Sequence, residues 1–188
     1  RIAAEEKARK VVEAKAAGHA VPDEFCQRLL GYTRRVLSKS GADAESFETQ
    51  AYACYVLALS GKPERTVMNR LIEISRDPQR AAGLKADELT PSFHTLLAAA
   101  WLSAGRRDLA TERLPQNLPR ARTERALDGN VGSAVRDRAL LLSTFLAVQP
   151  DSPLVPSLAQ QLANDGRAGA WRSTQDTAFA VMALGRYV

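Results

Sequence analysis

Cysteine and histidine are scarce in this chain, with two of each in 188 residues. A domain of this size needs no stapling by disulfides or metal, and neither His19 nor His94 has a Cys or carboxylate at the spacing of a zinc site. Both histidines read as turn or helix-end residues. Cys26 and Cys54 lie in apolar helical settings where a thiol behaves as a small hydrophobe; unpaired burial is the preferred reading over a disulfide between them. Aromatic residues make up only 6%. The basic residues thus lack the interleaved stacking groups of a nucleic-acid surface, and no recognised nucleic-acid-binding module is present. Apolar runs such as Leu96 to Leu102 and Ala139 to Leu142 fall far short of the roughly 20 residues a bilayer span requires, so this segment does not insert into a membrane. Alternation of β-branched or aromatic residues with polar ones is missing, which argues against strands. The chain opens on Arg1 with no signal-peptide pattern and reads as a segment of a longer protein.

The remaining composition, 45% hydrophobic and 25% charged, is that of an ordinary globular domain. A net charge of +5 comes mainly from the stretch holding Arg106, Arg107, Arg113, Arg120, Arg122, Arg125, Arg136 and Arg138, and elsewhere the signs nearly cancel. Solvated faces explain it better than an anionic partner.

Helical patterns account for nearly all of the chain. Ala3 to Ala17 closes at Gly18, and Pro22 with Asp23 and Glu24 opens a helix to about Ser38, with Phe25, Leu29, Leu30, Val36 and Leu37 along one face. Phe47 to Leu59 is apolar almost all round, so it must be buried on every side. Glu64 to Arg76 again has one apolar face, through Val67, Met68, Leu71 and Ile72. Pro91 to Ala104, Ser133 to Val148 and Thr174 to Val188 repeat the all-round apolar kind. The short Arg106 to Leu114 and the one-faced Ser152 to Asn164 lie between them. Gln79 to Leu89 is an ambiguous connection with room for a short helix, and Pro115 to Gly132 has no helical period.

Leu59, Leu102, Leu146 and Leu184 recur at roughly forty-residue intervals, the scale of a two-helix unit. Inner helices around Ala51, Leu96, Ala139 and Ala178, covered by outer helices around Phe25, Val67 and Leu158, give an all-α fold of two concentric layers. An α/α toroid satisfies this pattern, as does a superhelical solenoid; tetratricopeptide repeats fit worse, because their period and signature positions differ.

The most informative segment is Trp171-Arg-Ser-Thr-Gln-Asp-Thr-Ala178. Locally, Ser173 followed by Asp176 is a capping-box-like helix start, and Ser133-Ala-Val-Arg136-Asp137 is a similar one. The segment also resembles the Trp-x-Ser-Thr-Gln-x-Thr-Ala signature near the end of the thioester domain of bacterial α2-macroglobulins. The matching residues are Trp171, Ser173, Thr174, Gln175, Asp176 (at the variable position) and Thr177. Glu13 to Asp23, Ala51 to Pro63, Met68 to Leu71, Leu97 to Gly105, and Gly132 to Leu140 with its Arg136-Asp137 continue the resemblance in order. It implies a single α/α toroid over 1–188, of the terpenoid-cyclase kind and incomplete at its N-terminus, with an irregular insertion around 115–132. Arg1 to Lys10 departs from the family pattern by being more charged.

The resemblance implies a proteinase trap that works by conformational coupling rather than catalysis, with no cofactor. Its partners would be the other domains of the same large protein, its targets proteinases, and its location periplasmic or otherwise exported. The irregular segment with Arg120, Arg122 and Arg125 is a candidate contact with neighbouring domains. The family's Cys-x-Glu-Gln thioester motif is not in this chain: Cys26 is followed by Gln27-Arg28 and Cys54 by Tyr55-Val56. No catalytic, cofactor or metal residue is assigned. A terpenoid cyclase or prenyltransferase on the same fold would need clustered acids or an Asp/Cys/His zinc set, and here the acids are scattered. A glycosidase would need paired carboxylates across a cleft, which scattered acids leave open. A helical-repeat scaffold for peptides is the third alternative.

Overall fold

The structure is a computed structural model that describes residues 2–16, 18–39, 43–85, 89–117, 133–169, 171 and 173–188. Among the described residues all regular structure is helical: α1 (Ile2–Ala16), α2 (Asp23–Lys39), α3 (Ala44–Leu59), α4 (Arg65–Arg76), α5 (Pro78–Ala82), α6 (Pro91–Ser103), α7 (Arg107–Arg113), α8 (Ala134–Val148), α9 (Leu154–Arg167) and α10 (Thr174–Tyr187). The bounds follow the capping chemistry. Asp43 starts α3 by accepting from the Ser46 amide at 2.9 Å. Thr90 starts α6 by accepting from the Phe93 amide at 3.0 Å, with Pro91 in the first turn where no amide is needed. Both helices end on a glycine at positive φ, Gly61 at 75° and Gly105 at 80°. The amides of Gly61 and Lys62 close back on Ala58 and Leu57, and those of Gly105 and Arg106 on Leu102 and Trp101, at 2.9–3.0 Å.

The chain divides into two compact units, 1–113 and 114–188. In the first, α3 packs against α1, α2, α4 and α6, and α6 packs also against α4 and α7. Small residues make this crowding feasible: Ala51, Ala53, Cys54, Ala98 and Ala100 are fully buried, which lets neighbouring backbones approach closely. The polar side chains carried inward are tied. Thr90 donates to the buried Glu48 carboxylate at 2.6 Å, and Gln50 receives a hydrogen bond from Arg70. The second unit consists of α8 packed on α10, with α9 against both. The chain is thus all-α with layered helix-on-helix packing.

Most of the expected burial holds, and two expectations need correction. Phe25 does not lie on the buried face of α2; it is 50% exposed. The buried stripe is Cys26, Leu30 and Thr33, which at about 100° per residue sits roughly a quarter turn away from Phe25. α10 is not covered all round either. Phe179, Ala180 and Ala183 are buried, whereas Val181 is 56% and Met182 44% exposed, because α8 and α9 are its neighbours within its unit and occupy one side. The ambiguous connection does contain a short helix, α5. Of the irregular stretch, 115–117 is described and non-helical; Arg120, Arg122 and Arg125 lie outside the described residues.

Candidate functional site

The residues that carry the sequence signature converge on the N-terminal ends of α8 and α10. Ser173 caps α10 by accepting from the Asp176 amide at 3.0 Å, and Ser133 caps α8 by accepting from the Arg136 amide at 3.0 Å. The Ser133 hydroxyl then donates its own proton to the buried Asp176 carboxylate, joining the two helix starts. Asp176 therefore does more than complement the dipole of its own helix, and the bond to Ser133 is the feature that sequence reasoning missed. A signal for it existed. Ser133 and Asp176 are 43 residues apart, and Thr90 and Glu48, joined in the same way in the first unit, are 42 apart. In each case the N-cap hydroxyl of one apolar helix accepts from its own helix and donates to an acid on the neighbouring apolar helix.

Around this joint, Arg136 is buried and its guanidinium meets Asp137 at 3.0 Å, while Arg138 pairs with Asp165 of α9. Burial lowers the pKa of Arg138 from its ordinary value, but so basic a group remains charged and ties α8 to α9. The Thr177 hydroxyl donates to the Ser173 carbonyl at 3.2 Å, and Thr174 is exposed at the first position of α10. The side chain of Gln175 lies outside the described residues. Trp171 lies across the end of α9. Its indole N–H donates to the Leu162 carbonyl at 3.2 Å, and its ring fits so closely over Gly166 that a Cβ there would stand 2.9 Å from it. The cluster is a joint of caps and braces.

The remaining chemically capable groups are quiet. Cys26 and Cys54 are free and buried. Burial, aided by Glu64 and opposed by Arg70, pushes the Cys54 thiol up from its ordinary 9.0 to about 12. His94, in the first turn of α6, is held below its ordinary pKa by burial and by Arg113, so it is neutral at pH 7. Trp101 is core filling. Among the described residues no group of three or more His, Cys, Asp and Glu is placed to hold a metal ion, and no helix is long and apolar enough to cross a membrane.

No protein-family model and no curated protein matches the chain. Solved structures do. A structure of Escherichia coli alpha-2-macroglobulin activated by porcine elastase is similar over 97% of this chain and 16% of its own, with 24% identity and a TM-score of 0.72. A crystal structure of the native E. coli protein spanning domain MG7 to the C-terminus is similar over 97% of this chain and 29% of its own, with 23% identity and a TM-score of 0.75. The chain therefore has the fold of a segment of that larger bacterial protein and spans less than a third of either structure's chain.

Proposed function

We propose that the chain is part of the thioester-type domain of a bacterial alpha-2-macroglobulin-like proteinase trap, and that it acts by transmitting a conformational change rather than by catalysis. The observation that carries this reading is the fold likeness over 97% of the chain to a segment of E. coli alpha-2-macroglobulin. The Trp171 to Thr177 signature, seated at the joint of α8, α9 and α10, supports it. In this reading residues 1–188 form one α/α toroid with the 115–132 insertion, and the full-length protein is exported to the periplasm. The signature residues Trp171, Ser173, Thr174, Gln175, Asp176, Thr177, Arg136 and Asp137 are structural. In a ring of inner helices the open side of α10 packs on the next inner helix, which accounts for an apolar face that α8 and α9 leave uncovered.

Conformational coupling suits such a domain because braced helix pairs move as rigid bodies: the caps and the Arg138–Asp165 pair hold α8, α9 and α10 together. The test is elastase treatment of the full-length protein. The reading expects cleavage to change its sedimentation coefficient. Elastase should co-purify with it, still active on a small peptide substrate but several-fold weaker on casein. Cleavage without a shape change, leaving elastase free and fully active on casein, would overturn the reading.

A further inference from the structure

Within the first unit, the ends of α1 and α3 and the start of α2 enclose a cavity of about 360 Å³. That volume lies in the range that holds a small organic ligand. Its lining is graded. Cys26 and Leu30 of α2 are buried, Val12 of α1 and Leu59 of α3 are part-buried, and together they make an apolar interior. Lys15, Asp23, Gln27 and Lys62, all exposed, stand at the mouth. Helix geometry produces the gradient, because Asp23, Cys26 and Leu30 follow one another at helical spacing along one face of α2, as Lys15 and Val12 do on α1.

Charge at the mouth is not balanced. Lys15 pairs with Asp23, and their hydrogen bond holds both in the charged form, raising the pKa of Lys15 and lowering that of Asp23. Among the described residues Lys62 has no acidic partner and the Gln27 amide no hydrogen-bond partner. The turn after α3 fixes where Lys62 stands: Gly61 sits at a φ of 75°, and the Lys62 amide closes on the Leu57 carbonyl at 2.9 Å. The cavity therefore offers an apolar interior, one free positive charge and free amide donors, and the acid in its lining is already paired.

We propose that this cavity binds a small monocarboxylate with an apolar body, the carboxylate at Lys62 and Gln27 and the body against Cys26, Leu30, Val12 and Leu59. One free cation matches a singly charged head, whereas a dianionic phosphate leaves a charge unmatched. Lysine serves such a head as a point charge on a flexible stem and does not need the planar fork with which arginine grips an anion. An uncharged ligand of the same body forgoes the ammonium, and a bare anion such as acetate forgoes the apolar burial. The proteinase-trap reading neither requires this site nor depends on it.

The test uses Cys26 on the cavity wall as a reporter and octanoate as the probe. Reaction of its thiol with the small neutral reagent methyl methanethiosulfonate is followed in the full-length protein by mass spectrometry of the peptide that carries it. Cys26 should react slowly without octanoate, and octanoate should slow it several-fold further in a saturating manner. Octan-1-ol, with the same body and no charge, should protect only at several-fold higher concentration, and acetate should not protect. Lys62→Gln should raise the half-protecting octanoate concentration several-fold without changing the rate in its absence. Lys10→Gln, on α1 but outside the cavity lining, should change neither. Equal protection by octanoate and octan-1-ol, or an unchanged octanoate response in Lys62→Gln, would overturn the proposal. So would no protection at all, or a Cys26 thiol that reacts only once the protein is unfolded.

Discussion

α3 and α10 are drawn from the same residue classes, alanine-rich with scattered aromatic and aliphatic side chains, yet they meet different surroundings. Ala51, Tyr52, Ala53, Cys54, Val56 and Leu57 of α3 are all buried, whereas Val181 and Met182 of α10 are about half in water. α3 is enclosed by α1, α2, α4 and α6, and α10 has α8 and α9 on one side. Composition states what a helix is able to bury, and the number of its neighbours decides how much of that it does bury. Single substitutions separate the two situations.

The largest effect is expected in the enclosed helix. Leu57→Ala should destabilise the protein by about 2–5 kcal/mol in chemical denaturation, since it leaves a cavity with no solvent access. In residues 1–188 alone, Val181→Ala, on the side of α10 that α8 and α9 leave open, should stay within about 0.5 kcal/mol. Equal costs would break the contrast.

Next comes the brace that holds the covered side of α10's unit together. Trp171→Ala should cost about 3 kcal/mol, and Gly166→Ala about 1–3 kcal/mol by overpacking against the ring. A third test concerns Cys54. Its thiol is neutral in the fold up to about pH 12 but ionises at its ordinary value near 9.0 once unfolded. Above that ordinary value the unfolded state holds fewer protons than the native one, so stability falls as pH rises from 9 toward 12. Near the middle of that window the slope approaches about 1.4 kcal/mol per pH unit. Cys54→Ala should remove this component, as measured by denaturation at pH 9, 10 and 11. The smallest effect belongs to the joint between caps: Ser133→Ala should cost about 1 kcal/mol. A cycle with Asp176→Asn should show coupling, because the two side chains share a hydrogen bond.

Legibility in the sequence followed the range of each interaction. The caps at Ser133 and Ser173 and the stops at Gly61 and Gly105 are local chemistry and could be read directly. The all-round burial of α3 and α6 followed from their unbroken apolar runs. Phe25 misled because α2 carries apolar residues on two adjacent faces, and spacing alone does not say which one meets α1 and α3. α10 misled because its sequence shows its capacity for burial but not which neighbours it has. The Ser133–Asp176 bond was invisible locally, being a pairing of residues 43 apart, although its Thr90–Glu48 counterpart follows the same forty-residue interval.

The central claim is that α10 is an inner helix whose open side is covered in the full-length protein. The most direct measurement is the maleimide labelling rate of Val181→Cys in that protein, compared with Arg65→Cys on the exposed side of α4. Cys26 and Cys54 are buried, and the parent protein carrying neither substitution gives the background labelling. The account predicts that Val181→Cys labels several-fold more slowly than Arg65→Cys, and that denaturant abolishes the difference; equal rates in the native protein would contradict it.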